Sequence, residues 1–161
     1  MKSRIGILTL GHAIVWVLAN VAWFRAGSEL LTGTQLNQLL NLLPAISLIM
    51  VFISAYKKLA RTLWLTSGAL AIVVALIALL SDFSLSSAAI RVFEAISGIQ
   101  NATAAQAGLE TEVLVWPYVT AAIAIAVSVF SLYSSWGKLP EAQLKKQQEV
   151  DDNRSIWDQQ Q

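Results

Sequence analysis

The sequence predicts an all-α membrane protein: a four-transmembrane-helix bundle with both termini in the cytoplasm. Three observations lead there. First, residues 5–24, 36–56, 62–80 and 116–136 are apolar stretches without Asp, Glu, Lys or Arg, each about as long as the roughly 20 residues that cross a bilayer. Second, mean hydropathy is +0.60 and 13% of residues are charged, about half the roughly 25% of soluble domains. Third, nine of the eleven basic residues precede the first stretch, fill the second connection or follow the fourth. Arg25 and Arg91 stand alone among the acidic residues of the other two connections. The positive-inside rule then puts both termini of a multi-pass protein in the cytoplasm. The stretches do not alternate in polarity, so they read as helices and not as barrel strands.

Taken in order, the first span follows Lys2 and Arg4 and runs to Phe24. A basic start with small residues at Val17 and Ala19 imitates a secretory signal, but the apolar run continues beyond that point, which favours an uncleaved helix. Residues 25–35, with Gly27, Ser28, Thr32, Gly33 and Thr34, suit turns and a helix start. Pro44 kinks the second span, which membrane helices tolerate. The tight link holding Lys57, Lys58 and Arg61 leads into the third span.

Residues 81–115 form the sizeable external piece. Leu85, Ala89, Val92, Phe93, Ile96 and Ile99 recur at helical spacing, which predicts an amphipathic helix on the membrane or over the bundle. Phe93 and Ile96 are its candidate partner contacts. Trp116-Pro117 opens the fourth span, with an interfacial aromatic followed by proline at the first helical position. Trp23, Trp64 and Trp136 read as further members of interfacial belts. Residues 1–136 thus form the transmembrane domain. Residues 137–161 are a polar cytoplasmic tail too hydrophilic to bury a core, in which the apolar pair Ile156 and Trp157 is a candidate docking motif.

The chain has no cysteine and shows no phosphate loop, paired carboxylates, nucleophile with base or metal-ligand spacing. The expectation is therefore a non-enzymatic protein with no catalytic, metal or cofactor site, and without a nucleic-acid partner. Four intramembrane polar residues stand out as candidates: His12, Asn20, Asn37 and Asn41. A buried ionisable group in a span is a functional candidate. Without an acidic partner in any span, His12 reads first as a structural hydrogen-bonding group. The asparagines cluster at the external ends of the first two spans and read as interhelical glue. Gly68, Ala71, Ala75 and Ala78 on the third span, with Ala122, Ala124, Ala126 and Ser128 on the fourth, offer surfaces for close packing.

Several short motifs occur in a distinctive order: Ala22-Trp23, Thr32-Gly33 before a Pro-containing span, Lys57-Lys58 to Arg61, and Ser67-Gly68. Ile96-Ser97-Gly98, Trp116-Pro117, Trp136 and Arg154-Ser155-Ile156-Trp157-Asp158 follow. In this the chain resembles the actinobacterial tryptophan-associated transmembrane protein family. The resemblance implies an association with tryptophan metabolism, an association of gene neighbourhood and not of mechanism.

The function expected is that of an accessory, scaffold or partner-binding subunit, held in the lipid bilayer and contacting another membrane protein or itself as a homo-oligomer. The alternative is a small oligomeric transporter or permeability factor for an aromatic amino acid or related metabolite, with His12 and the asparagines in its path.

Overall fold

A computed structural model describes residues 2–55 and 60–136. The basic link at Lys57 and Lys58, the end of the second predicted span at Tyr56 and the tail with Ile156 and Trp157 lie outside the described residues. Six α-helices, a short 3-10 helix (Phe83–Leu85) and three strands make up the regular structure of the described part. Helices α1 (Lys2–Ala19), α3 (Leu39–Ile53), α4 (Ala60–Leu80) and α6 (Trp116–Trp136) form the bundle. Strands β1 (Ala22–Ala26), β2 (Glu29–Thr32) and β3 (Thr111–Val113), with helices α2 (Gly33–Leu36) and α5 (Ser87–Ser97), build a cap at one end.

The all-α prediction is thereby corrected: the chain is mostly helical but carries a three-stranded antiparallel sheet of order β2-β1-β3. Of the four predicted spans, two have the full length a crossing needs. Two helices, α4 and α6, are long and apolar enough to cross a membrane, at 21 residues each. The first stretch stops being helical at Ala19, not Phe24, and α3 covers 15 residues. At 1.5 Å per residue these shorter helices reach about 27 and 22 Å, against about 31 Å for α4 and α6.

Local chemistry explains the breaks. Asn37 is extended (φ −148°), which separates α2 from α3. Thr32 and Gln35 cap α2 reciprocally: Gln35 N donates to Thr32 Oγ1 at 3.3 Å and Thr32 N to Gln35 Oε1 at 2.8 Å. This is a capping box, and it fulfils the expected helix start. Gly27, with φ +59°, opens the two-residue loop between the paired residues Ala26 and Glu29, where a tight hairpin favours glycine. An extra residue in β1 between Ala22 and Phe24 leaves Trp23 on a bulge. The amphipathic helix predicted between the third and fourth spans is present as α5. Ser86 caps its start by accepting from Ala89 N at 3.2 Å, and Gly98 (φ +71°) ends it.

In the bundle, α1 packs on α3, α3 on α4, α4 on α6 and α6 back on α1, closing a ring of antiparallel neighbours. The small residues set its spacing. A Cβ on Gly68 would lie 2.9 Å from Ser131 Cβ, and one on Gly11 2.5 Å from Val127 Cγ2. Ala71, Ala75, Ala78, Ala124 and Ser128 are buried in these contacts within the chain, whereas Ala122 and Ala126 face outward.

One continuous core joins bundle to cap, running from Val15, Leu40 and Val74 to Trp23, Phe24 and Phe93. A smaller cluster of Leu8, Val51, Ala60, Trp64 and Val127 closes the opposite end.

Candidate functional site

Trp23 is the pivot on which the cap sits. Its side chain is fully buried, donates from Nε1 to the Leu18 carbonyl at 2.8 Å and meets Phe83 edge-on at 5.8 Å. Gly33 passes beneath it so closely that a Cβ there would lie 2.7 Å from the indole ring and 2.8 Å from the Ala19 carbonyl oxygen. The expected interfacial role of Trp23 is thus replaced by a core role. The same holds at the other end for Trp64, which is buried and donates from Nε1 to Ser54 Oγ at 2.8 Å. Trp116 and Trp136 are exposed, as an interfacial belt would require.

The cap carries a groove of about 480 Å³ between the hairpin and α5. Leu31, Ala88 and Val92 form its apolar part; Glu29 and Arg91 supply opposite charges. Amides of Gln35 and Gln38 and the hydroxyl of Thr34 add neutral hydrogen-bonding capacity. Ile96, one of the two α5 residues predicted to face a partner, borders this groove and is 53% exposed. Phe93, the other, is 1% exposed and belongs to the chain's own core. Helical spacing marks an apolar face, and here the hairpin and bundle cover most of that face before a partner can.

The three asparagines do not converge on one point. Asn41 Oδ1 accepts from Trp16 Nε1 at 2.7 Å, tying α3 to α1. Asn20 Nδ2 donates to the Trp16 carbonyl at 2.9 Å and its Oδ1 accepts from Thr34 at 3.3 Å. Asn37 Oδ1 instead accepts from Leu39 N at the start of α3. Trp16 is the residue that links Asn20 and Asn41, and sequence reasoning passed over it because an apolar run hides an indole donor.

His12 is 1% exposed in the bundle, and its Nε2 has no hydrogen-bond partner among the described residues. Ser134 Oγ, near the end where Arg4 donates to the Ser134 carbonyl at 3.2 Å, is likewise unpartnered among them. A serine network joins α4 to α6 at Ser131, between Val127 and Ser134 along α6. Ser131 Oγ donates to the Trp64 carbonyl at 2.9 Å and lies 3.3 Å from Ser67 Oγ, which bonds the same carbonyl at 3.0 Å. Every member of that network closes on its own or a neighbouring helix, which makes it packing chemistry. Among the described residues no three His, Asp or Glu side chains come together as a metal would need.

Among the described residues the arrangement therefore offers an open groove of mixed chemistry in the cap and two buried, unpartnered polar atoms in the bundle, His12 Nε2 and Ser134 Oγ. Comparison with known proteins adds no further bearing: no family model, curated protein or solved structure matches the chain.

Proposed function

We propose that this chain is an integral membrane protein of four spans, both termini cytoplasmic, that serves as a non-enzymatic accessory or scaffold subunit and presents its cap on the outer face. The observation that carries the reading is the apolar outer surface of the bundle, with polar side chains among those buried inside. Its outward surface holds exposed Leu10, Val17, Ile49, Phe52, Leu76 and Val129, while His12, Ser47, Ser67, Thr120, Ser128 and Ser131 are buried. A soluble bundle would bear charge outside and apolar residues inside. An apolar surface on this scale marks contact with a membrane or a protein, and on all four helices it fits lipid. The two helices shorter than the hydrocarbon core are accommodated by local thinning of the bilayer.

The cap supports the partner-binding half of the proposal. Leu30, Leu85, Ile96 and Ile99 are exposed there beyond the ends of the bundle helices, and another membrane protein with an apolar external surface is the occupant proposed. The resemblance noted in the sequence adds an association with tryptophan metabolism to this reading.

Because the chain lacks cysteine, single-cysteine variants test the arrangement directly. Ser28→Cys and Gln106→Cys should react with an impermeant maleimide in intact cells, and Ser3→Cys and Arg61→Cys only after permeabilisation. Equal reaction of all four in a soluble fraction would overturn the membrane reading. For the partner, a photo-crosslinking residue at position 96 should give a discrete adduct after purification in mild detergent, lost when Ile99 is also changed to Ser. Recovery of bare monomer alone counts against an accessory role, and an adduct of twice the chain's own mass replaces the foreign partner with a second copy.

A further inference from the structure

The cap groove contains a charge pair that the protein leaves open. Arg91 and Glu29 both border it, both are exposed, and neither forms an ion pair among the described residues. Elsewhere in the cap Arg25 and Glu112 are bonded at 3.0 Å, so opposite charges do meet where the sheet brings them together. The Gln35 and Gln38 amides and the apolar side chains of Leu31 and Val92 line the same groove. Such a groove suits a ligand that is itself zwitterionic and partly apolar.

Its position narrows the choice. Gln38 immediately precedes α3, whose Leu39 and Leu42 are 45% and 53% exposed. An occupant anchored at Gln38 can therefore continue down an apolar helix surface.

We infer that the groove binds the headgroup of a phosphatidylethanolamine from the leaflet on the cap side, an inference that rests on the membrane reading above. The Arg91 guanidinium matches a phosphate in planar, two-pronged geometry. The Glu29 carboxylate accepts from the primary ammonium, and the glutamine amides serve the ester and glycerol oxygens. The groove's volume falls within the roughly 300–1,000 Å³ of small-molecule sites. A purely anionic headgroup satisfies Arg91 but meets Glu29 with like charge. A choline headgroup has the right charges but no N–H to give the carboxylate.

The test uses the full chain purified in detergent, with dioleoyl phosphatidylethanolamine, phosphatidylglycerol or phosphatidylcholine added and bound lipid counted by native mass spectrometry. Ethanolamine lipid should be retained about fivefold better than either other lipid, the scale of one solvent-exposed ion pair. Arg91→Gln and Glu29→Gln should each remove about that factor, whereas Glu112→Gln, away from the groove, should not, with circular dichroism verifying that all variants fold. Equal retention of the three lipids overturns the inference. So does a preference for phosphatidylglycerol that Glu29→Gln increases, which would make the groove a simple anion site. Full displacement by an equal concentration of soluble phosphoethanolamine overturns the lipid assignment in favour of a free zwitterion. Alkaline extraction of the source membranes separates the two levels of failure. Release of the chain sinks the membrane reading, whereas retention in the membrane with equal lipid binding sinks this inference alone.

Discussion

At Gly68 the backbones of α4 and α6 approach until a Cβ would lie 2.9 Å from Ser131 Cβ and 3.5 Å from the Ser128 carbonyl oxygen, whereas at Gly6 nothing lies within 4 Å. The two glycines should therefore respond oppositely to the same methyl group. Gly68→Ala forces the helices apart or Ser131 off its bond to the Trp64 carbonyl, and overpacking of this kind costs about 1–3 kcal/mol. Gly6→Ala meets no neighbour and gains about 0.5–1 kcal/mol from restricting the unfolded chain. Unfolding in mixed micelles with increasing SDS measures both, and a Gly68→Ala variant as stable as Gly6→Ala would refute the close contact. The small face of α4 was legible in the sequence because residue size is a local property, but on α6 Ala122 and Ala126 face outward and Ala124 and Ser128 are the buried ones. The burial of Trp23 and Phe93 was not legible. An indole at the end of an apolar run looks the same whether it meets lipid headgroups or, as here, donates inward to Leu18 beside Phe83.

At the scale of the element, the hairpin is what the apolar pattern concealed. Strand β1 is buried at Trp23, Phe24 and Ala26, so it lacks the alternation that marks a half-exposed strand. Residues 22–24 thus read as more of the first span. A signal was nonetheless present in Gly27-Ser28, a two-residue loop of hairpin type between two runs that can pair. Gly27 needs its positive φ, and a Cβ there would also lie 2.9 Å from Leu109 Cδ2. Gly27→Val should cost at least the roughly 1–2 kcal/mol of a left-handed non-glycine residue. Hydrogen exchange should show the loss in the amides of β1 and β2 while α4 and α6 stay protected, because the loop supports the cap and not the helix ring. Uniform loss of protection would mean that cap and bundle unfold as one unit. Ser86→Ala makes a milder comparison within the cap, removing the bond from Ala89 N at a cost of about 0.5–2 kcal/mol.

For the whole molecule, the decisive question is what solvent the bundle is built for, and a single substitution can put it. Ile72 lies near the middle of α4 on its outward face, 43% exposed, and buried Ala71, Val74 and Ala75 flank it on the inward one. If water surrounds the bundle, Ile72→Arg replaces an exposed apolar group with a solvated charge, a surface change of at most about 0.5 kcal/mol either way. If lipid surrounds it, the same arginine sits near the centre of the hydrocarbon and opposes insertion by roughly 2.5–3.5 kcal/mol. The four-span reading expects the second result: a sharp fall in membrane-integrated protein, read by alkaline extraction and by impermeant labelling at Gln106→Cys. Arg61→Glu gives the complementary reading, since Arg61 is exposed at the α4 end opposite the cap. There a charge stays in water in either state, and its loss acts only through the weaker bias that keeps basic ends inside. A variant carrying Ile72→Arg that is as abundant in membranes as the parent chain would remove lipid from the outer surface of α4. A protein face would then have to cover the belt of exposed leucine, isoleucine and valine.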